Sequence, residues 1–409
     1  MKYIFCANMF SNIDEDMRKM KTPPPVSSHK FQGNLLDGLL ENGQSVKVVN
    51  IPRVRYFPKY QKILFRRKLF VWKNKTIGEY IAFINLPVLN YVSQKKTLTR
   101  ALENYVKEAG NERCVLICFN NYLPQNQAML KVRKKYNNNV VLCGVLGDIH
   151  GQYGVQVAKR YDGLRGRIVR YIEKKQDDLS SQFDSFGFVT KYMAEALGVE
   201  KKPHVIIEGI YSEDGRRTRH INDGKTKTVF YAGAVEKEYG LIHLLNAFSL
   251  IKDENYRLVI AGGGGAVDEI LNRAKHDSRI SYLGYITPKE VEKHQQNATV
   301  LVNPRLSNHE YVKYSFASKN MECLASGKPY IAYKLPCNPP EYDGYIQYPK
   351  GETEEWLAEK IEEVCNYPEE KRAFIGLKAR EFILNEKNPK SMCKRIVEMS
   401  KNIGEDDKC

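Results

Sequence analysis

The chain has 409 residues, 42% of them hydrophobic, and its 64 Lys+Arg against 48 Asp+Glu give a net charge of +16. That length implies two or three domains with sizeable cores, and the charge implies an anionic partner. No stretch reaches the ~20 uninterrupted apolar residues of a spanning helix, and nine cysteines without a CxxC pair argue against a zinc site or disulfide framework and fit a reducing cytosol.

In chain order, the apolar run from Lys2 to Ala7 reads as a first strand rather than a leader. After a loop with Pro23-Pro24-Pro25, Ser27 or Ser28 caps a helix to about Asn42, Gly43 closes it, and Val46 to Val49 is a strand. From Pro52 to Lys75 there are nine basic residues, six aromatics and no acids. At helical spacing Lys59, Lys62, Arg66 and Lys73 share one face and Tyr60, Ile63, Leu64 and Val71 another. A basic amphipathic segment of this kind lies on anionic lipid or tracks nucleic acid, and a solvated helix is the alternative. A helix over about Gln94 to Ala109 follows, then a strand at Val115 to Phe119, a helix at Gln125 to Lys135 and a strand at Val140 to Leu146. That strand runs into Gly147-Asp148-Ile149-His150-Gly151. A second basic patch (Lys159, Arg160, Arg165, Arg167, Arg170, Lys174, Lys175) leads into and along a helix at about Leu164 to Leu179. A strand at Gly187 to Thr190, a helix at Tyr192 to Leu197 and a strand at His204 to Ile207 end this half.

The polar stretch from Tyr211 to Lys227 is the best linker, and the alternation restarts beyond it. Strands are expected at Thr228 to Ala232, Arg257 to Ala261 and Ile280 to Leu283, with helices at Leu241 to Ile251, from beyond Gly265 to about Lys275, and at Pro288 to Gln296. The apolar run Ala298 to Val302 must end at Asn303-Pro304-Arg305, because proline cannot continue a ladder. Ser315 to Lys319 then opens a helix carrying Glu322, with Ser318 suited to the N-cap and Gly327 to the left-handed residue after the helix. A strand at Tyr330 to Tyr333 and helices at about 354–365, 369–385 and 389–401 complete the chain. Strands alternating with helices define an α/β protein of two Rossmann-like doubly wound domains facing a cleft, with ligand at the carboxyl ends of the strands. The domains are expected at 1–210, for the acceptor, and 211–387, for the donor, with 388–409 as a helix packing back on the first.

Glycine turns follow strands at Gly233-Ala234, Gly262 to Gly265 and Gly284-Tyr285, where glycine lets backbone N–H groups approach a phosphate or base. No third glycine completes a dinucleotide fingerprint. The helix start with hydroxyls and Lys319 suits a diphosphate, and Glu322 one turn on is placed to accept from sugar hydroxyls; plain capping is the alternative. Asp148 and His150 follow a strand in the first half, where acceptor-facing groups are expected; a turn-capping Asp148 and a surface His150 are the alternative.

Tyr231-Ala232-Gly233, Gly240-Leu241, Leu244 to Phe248, Leu258 to Gly264 and Ile280 to Tyr285, with Asn303-Pro304-Arg305, Tyr314 to Lys319 and Glu322 to Pro329, resemble the donor domain of retaining GT-B glycosyltransferases of family 4. They look closest to the branch of bacterial surface-polysaccharide synthesis. The resemblance implies that Glu322 binds the donor ribose, Ser318 and Lys319 the diphosphate, that Gly233 and Ala234 pass under the phosphates, and that Gly263 and Tyr285 lie near the base. Two residues depart from the family pattern. Tyr314 stands eight positions before Glu322, where the motif carries a glutamate, and Tyr239 precedes Gly240 where a lysine is usual, leaving Lys237 nearby and Arg305 to supply positive charge.

The reaction expected is transfer of a sugar from a nucleoside diphosphate donor, a UDP-sugar, to a lipid-linked saccharide with retention. Lys319, Arg305 and Lys237 would stabilise the leaving diphosphate with no metal or other cofactor. The segment 52–75 would hold the enzyme peripherally on the anionic inner face of the cell membrane, from the cytoplasmic side. Two rivals are a sugar-nucleotide epimerase, for which no carboxylate pair stands out, and a nucleic-acid-binding protein, which leaves the glycine turns and Glu322 unexplained. No nucleic-acid partner is expected.

Overall fold

The computed structural model describes residues 1–9, 26–149, 163–213 and 226–403. His150, Lys159, Arg160, the side chain of Arg165 and residues 214–225 of the linker stretch lie outside the described residues. The chain divides into two compact units, 1–210 with 388–409, and 211–387.

In the first unit, β1 (Lys2–Ala7), α1 (Val26–Glu41), β2 (Ser45–Asn50), β3 (Leu64–Phe65), β4 (Lys68–Trp72), β5 (Lys75–Tyr80), β6 (Phe83–Ile84), α2 (Leu89–Glu108), β7 (Cys114–Phe119), α3 (Leu123–Tyr136), β8 (Val140–Leu146), α4 (Gly163–Ser180), β9 (Ser185–Phe188), α5 (Met193–Leu197) and β10 (His204–Ile206) follow in order. One eight-stranded sheet runs β10-β9-β8-β7-β1-β2-β5-β4, parallel throughout except for the β4–β5 hairpin at its edge. Every residue of β7 and β8 is buried, as a parallel sheet covered on both faces requires.

The segment after Pro52 is not a helix. It forms a loop, the short β3–β6 ribbon and the β4–β5 hairpin. Phe70 and Trp72 stack on one face of β4 while Leu69 and Val71 point to solvent on the other. Alternation with period two therefore won over the helical spacing, because β4 finds a partner in β5.

The second unit contains β11 (Lys227–Ala234), α6 (Leu241–Leu250), β12 (Tyr256–Gly263), α7 (Val267–His276), β13 (Ile280–Tyr282), α8 (Pro288–Asn297), β14 (Val300–Asn303), α9 (Lys319–Ala325), β15 (Tyr330–Ala332), α10 (Glu354–Cys365) and α11 (Glu369–Glu386). Its sheet is all parallel, in the order β13-β12-β11-β14-β15. The winding reverses between β11 and β14, the point where doubly wound sheets open a ligand crevice beyond their strand ends. The last helix, α12 (Pro389–Asn402), belongs to the first unit. It lies so close to α1 that a methyl group on Gly38 would fall 2.2 Å from the Pro389 carbonyl oxygen. Among the described residues no helix is long and apolar enough to cross a membrane.

Candidate functional site

Gly233 and Ala234 do not form a turn. β11 continues through them, paired with Gly262 and Gly263 of β12. The glycines of that second strand end have a local reason. A Cβ on Gly262, at φ +130, would meet the Gly233 carbonyl oxygen at 1.7 Å, and one on Gly264, at φ +156, would meet that of Val235 at 2.3 Å. The amide of Gly265 is already used, donating to Glu236 Oε2 at 2.9 Å. So the run Gly262 to Gly265 lets two chain segments pass closely, instead of presenting its Gly265 amide to a phosphate.

Gly233 keeps its place for a different neighbour. The Nζ of Lys319 donates to the Ala232 carbonyl oxygen, and a methyl group on Gly233 would stand 2.5 Å from Lys319 Cε. The Tyr231 hydroxyl donates to the Ala234 carbonyl at 2.7 Å, and burial pushes this phenol well up, so it remains a neutral donor. Lys319 is thereby laid across the end of β11 from the first residue of α9. Ser318 is not the N-cap the sequence suggested: its backbone is helical and its side chain makes no capping bond. Both Ser318 and Glu322 are exposed, and Glu322 sits one turn beyond Lys319. Lys237 is exposed in the tight turn Lys237–Tyr239.

Arg305, just beyond β14 on the other side of the reversal point, is only 8% exposed. Its guanidinium lies 5.8 Å from the centre of the Tyr239 ring and 5.3 Å from that of Tyr311. Nη1 donates to the Ser315 carbonyl at 3.3 Å, and Nε has no hydrogen-bond partner among the described residues. No carboxylate pairs with it among the described residues. Gly240, at φ +79, closes this corner, since a Cβ there would meet the Pro304 carbonyl oxygen at 2.0 Å. Tyr239 and Tyr311 come from two separate loops, so no local pattern announced them. Tyr285, after β13, is 87% exposed and leans on Gly263.

In the first unit Asp148 is exposed beyond β8 and accepts from Asn120 Nδ2 at 3.3 Å, while Asn120 Oδ1 accepts the Gly147 amide at 2.6 Å. Asp148 is thus part of a turn network.

Two Rossmann-like units in one chain are the arrangement of the GT-B fold. Residues 213–382 match the family model for glycosyl transferases group 1. Sucrose-phosphate synthase from Thermosynechococcus elongatus superposes with TM-score 0.62 at 14% identity, over 98% of this chain and 99% of that one. The lipopolysaccharide outer core galactosyltransferase WaaB, in its apo form, gives 0.62 at 14%, over 98% and 99%. HepE from Anabaena, in complex with UDP, gives 0.58 at 11%, over 98% and 100%. None of the curated proteins matches the chain significantly in sequence. The protein is a glycosyltransferase enzyme with the GT-B fold.

Proposed function

We propose that the enzyme is a family 4 transferase that moves a sugar with retention from a UDP-sugar to a lipid-linked saccharide in surface glycan synthesis. The observation that carries the donor half is Arg305. A cation buried without a counter-charge is costly unless an anion arrives to pair with it. In so dry a corner, its effect on charge developing at a leaving diphosphate is large. Lys319 flanks the same reversal point, and Ser318 and Glu322 on α9 would reach the diphosphate and the ribose. Gly233, Ala234 and Lys237 line the strand end beneath, and Gly263 with Tyr285 would take the base. The binding of UDP by HepE supports uracil, and the likeness to WaaB supports a surface glycan.

The acceptor half rests on the first unit, whose Asp148 and His150 would face the acceptor. The basic residues of 52–75, with Leu69 and Val71 exposed among them, would place the enzyme peripherally on the inner face of the cell membrane. A panel of sugar nucleotides tests the reading, with the anomeric configuration of the transferred sugar read by NMR. Failure to bind any nucleotide sugar, or a Glu322→Ala variant indistinguishable from wild type, overturns it.

A further inference from the structure

An arginine without a counter-charge also stands in the first unit. Arg53 follows β2, is exposed, and lies over the ring of Tyr122, 5.0 Å from its centre. It forms no ion pair among the described residues. Tyr122 opens α3 after β7, and its hydroxyl donates to Gln94 Oε1 at 2.6 Å, so the ring is held as a platform. β2 and β7 both flank β1, which places Arg53 and Tyr122 at the carboxyl edge of the parallel sheet. From Tyr122 a row of half-buried rings continues to Tyr91 at 6.2 Å and on to Tyr56 at 6.3 Å.

The basic loop and the start of α2 are clamped into one body. Asn85, fully buried, donates from Nδ2 to the carbonyls of Arg55 at 3.0 Å and Lys62 at 3.1 Å, and its Oδ1 accepts from Asn90 at 3.0 Å. At the start of α2, the helix that carries Tyr91, this body turns apolar side chains outward. Val88, before α2, is 72% exposed and has φ +64, a conformation that a β-branched residue adopts only under strain. Leu89 and Val92, on either side of Tyr91, are exposed as well. Backbone strain that ends in an apolar side chain held in water has no benefit for the isolated fold.

We infer that this surface receives the lipid-phosphate end of the acceptor: Arg53 takes the phosphate, and Val88, Leu89 and Val92 take the apolar chain attached to it. The inference rests on the lipid-linked acceptor proposed above and assigns it residues. A guanidinium pinned on an aromatic face presents its free N–H groups as a fork matched to phosphate oxygens. The Tyr122–Tyr91 contact links this fork to the helix start that carries the apolar patch, a combination that fits a phosphorylated lipid. A water-soluble sugar phosphate would leave the patch uncovered, and a bulk anionic bilayer would need only scattered lysines.

The test is vesicle flotation of the full chain. Neutral phosphatidylcholine vesicles are doped either with a polyprenyl phosphate or with phosphatidylglycerol at matched surface charge. The wild type is expected to prefer the polyprenyl phosphate by about tenfold, the worth of one charge-assisted hydrogen-bonded contact. Arg53→Gln should abolish the preference with an unchanged melting temperature, and Val88→Gly, which also relieves the strain, should weaken binding to the polyprenyl vesicles without loss of stability. Equal binding to the two vesicle types, or a preference that survives Arg53→Gln, overturns the inference. UDP binding by the wild type is measured in parallel. Its absence sinks the donor reading and leaves the vesicle comparison to decide this one.

Discussion

The ring of Tyr285 rests on the backbone of Gly263: a methyl group added there would come within 2.3 Å of its Cε2. An exposed aromatic held against glycine at neighbouring strand ends offers its other face for stacking on a base. Because the ring is 87% exposed, Tyr285→Ala should leave the melting temperature within a degree or so of wild type. Its UDP affinity should fall about tenfold, the worth of one base–aromatic stack. Gly263→Ala should act in the same direction by pushing the ring away. Calorimetric titration with UDP checks both, and an unchanged Kd for Tyr285→Ala removes the ring from the site.

Arg305 makes a prediction of unusual sign. Replacing a paired buried arginine usually destabilises, but this one has no carboxylate to strand. Arg305→Met keeps much of the volume between Tyr239 and Tyr311 and removes the charge. The unliganded variant should be as stable as wild type to within about 1 kcal/mol. Wild type should gain melting temperature on adding UDP, and the variant should not. Thermal unfolding with and without UDP reads both quantities. A variant that unfolds several degrees lower yet keeps its UDP shift would make Arg305 structural.

How much of this was legible in the sequence depended on how local each cause is. α8 and α10 lie within a residue or so of their expected bounds, because Thr287 with Glu290 and Thr353 supply capping bonds inside their own turns. Gly327, at φ +77, likewise ends α9 as its position suggested. The misreadings are all non-local. The strand Lys68–Trp72 needs β5 as its partner, with Lys68 opposite Tyr80 and Trp72 opposite Lys75, and only the turn at Lys73-Asn74, both at positive φ, carried a local sign of the hairpin. Ser318 fails as a cap because its own backbone is already helical, although Ser315 before it is extended, and a capping side chain needs a non-helical residue to reach back to the helix amides. The neighbours that define Arg305, Tyr239 and Tyr311, lie far from each other in sequence and meet only once β11 and β14 are side by side.

Asp277 gives the second unit a stability term that depends on pH. Arg279, itself buried, donates from Nε and Nη2 to its two oxygens at 2.9 and 2.8 Å. These bonds hold the Asp277 carboxyl below its ordinary 3.8. A depressed carboxyl contributes stability that is complete above the ordinary value and is lost as pH falls through the folded one. Asp277→Asn should therefore cost about 2 kcal/mol at neutral pH, and the gap between variant and wild type should shrink as the pH falls below the ordinary carboxyl value of 3.8. Urea unfolding across that range measures it. A gap that stays constant down to low pH would mean that charge at Asp277 is not the cause.

Gly240 and Gly284 separate backbone strain from crowding. Both have positive φ, +79 and +67, so alanine at either costs about 1 kcal/mol for the left-handed backbone alone. Among the described residues nothing lies within 4 Å of the Cβ position on Gly284, whereas that on Gly240 falls 2.0 Å from the Pro304 carbonyl oxygen. A main-chain carbonyl at the mouth of β14 cannot swing aside like a side-chain tip. Gly240→Ala should thus lose at least about 3 kcal/mol, and Gly284→Ala only the strain term. The same displacement would shift Pro304 and, with it, Arg305, so Gly240→Ala should also weaken UDP binding beyond its effect on folding. Equilibrium unfolding of the two variants, with UDP titrations under conditions where both are folded, gives the comparison. Equal losses would mean that Gly240 does not brace the Pro304–Arg305 corner.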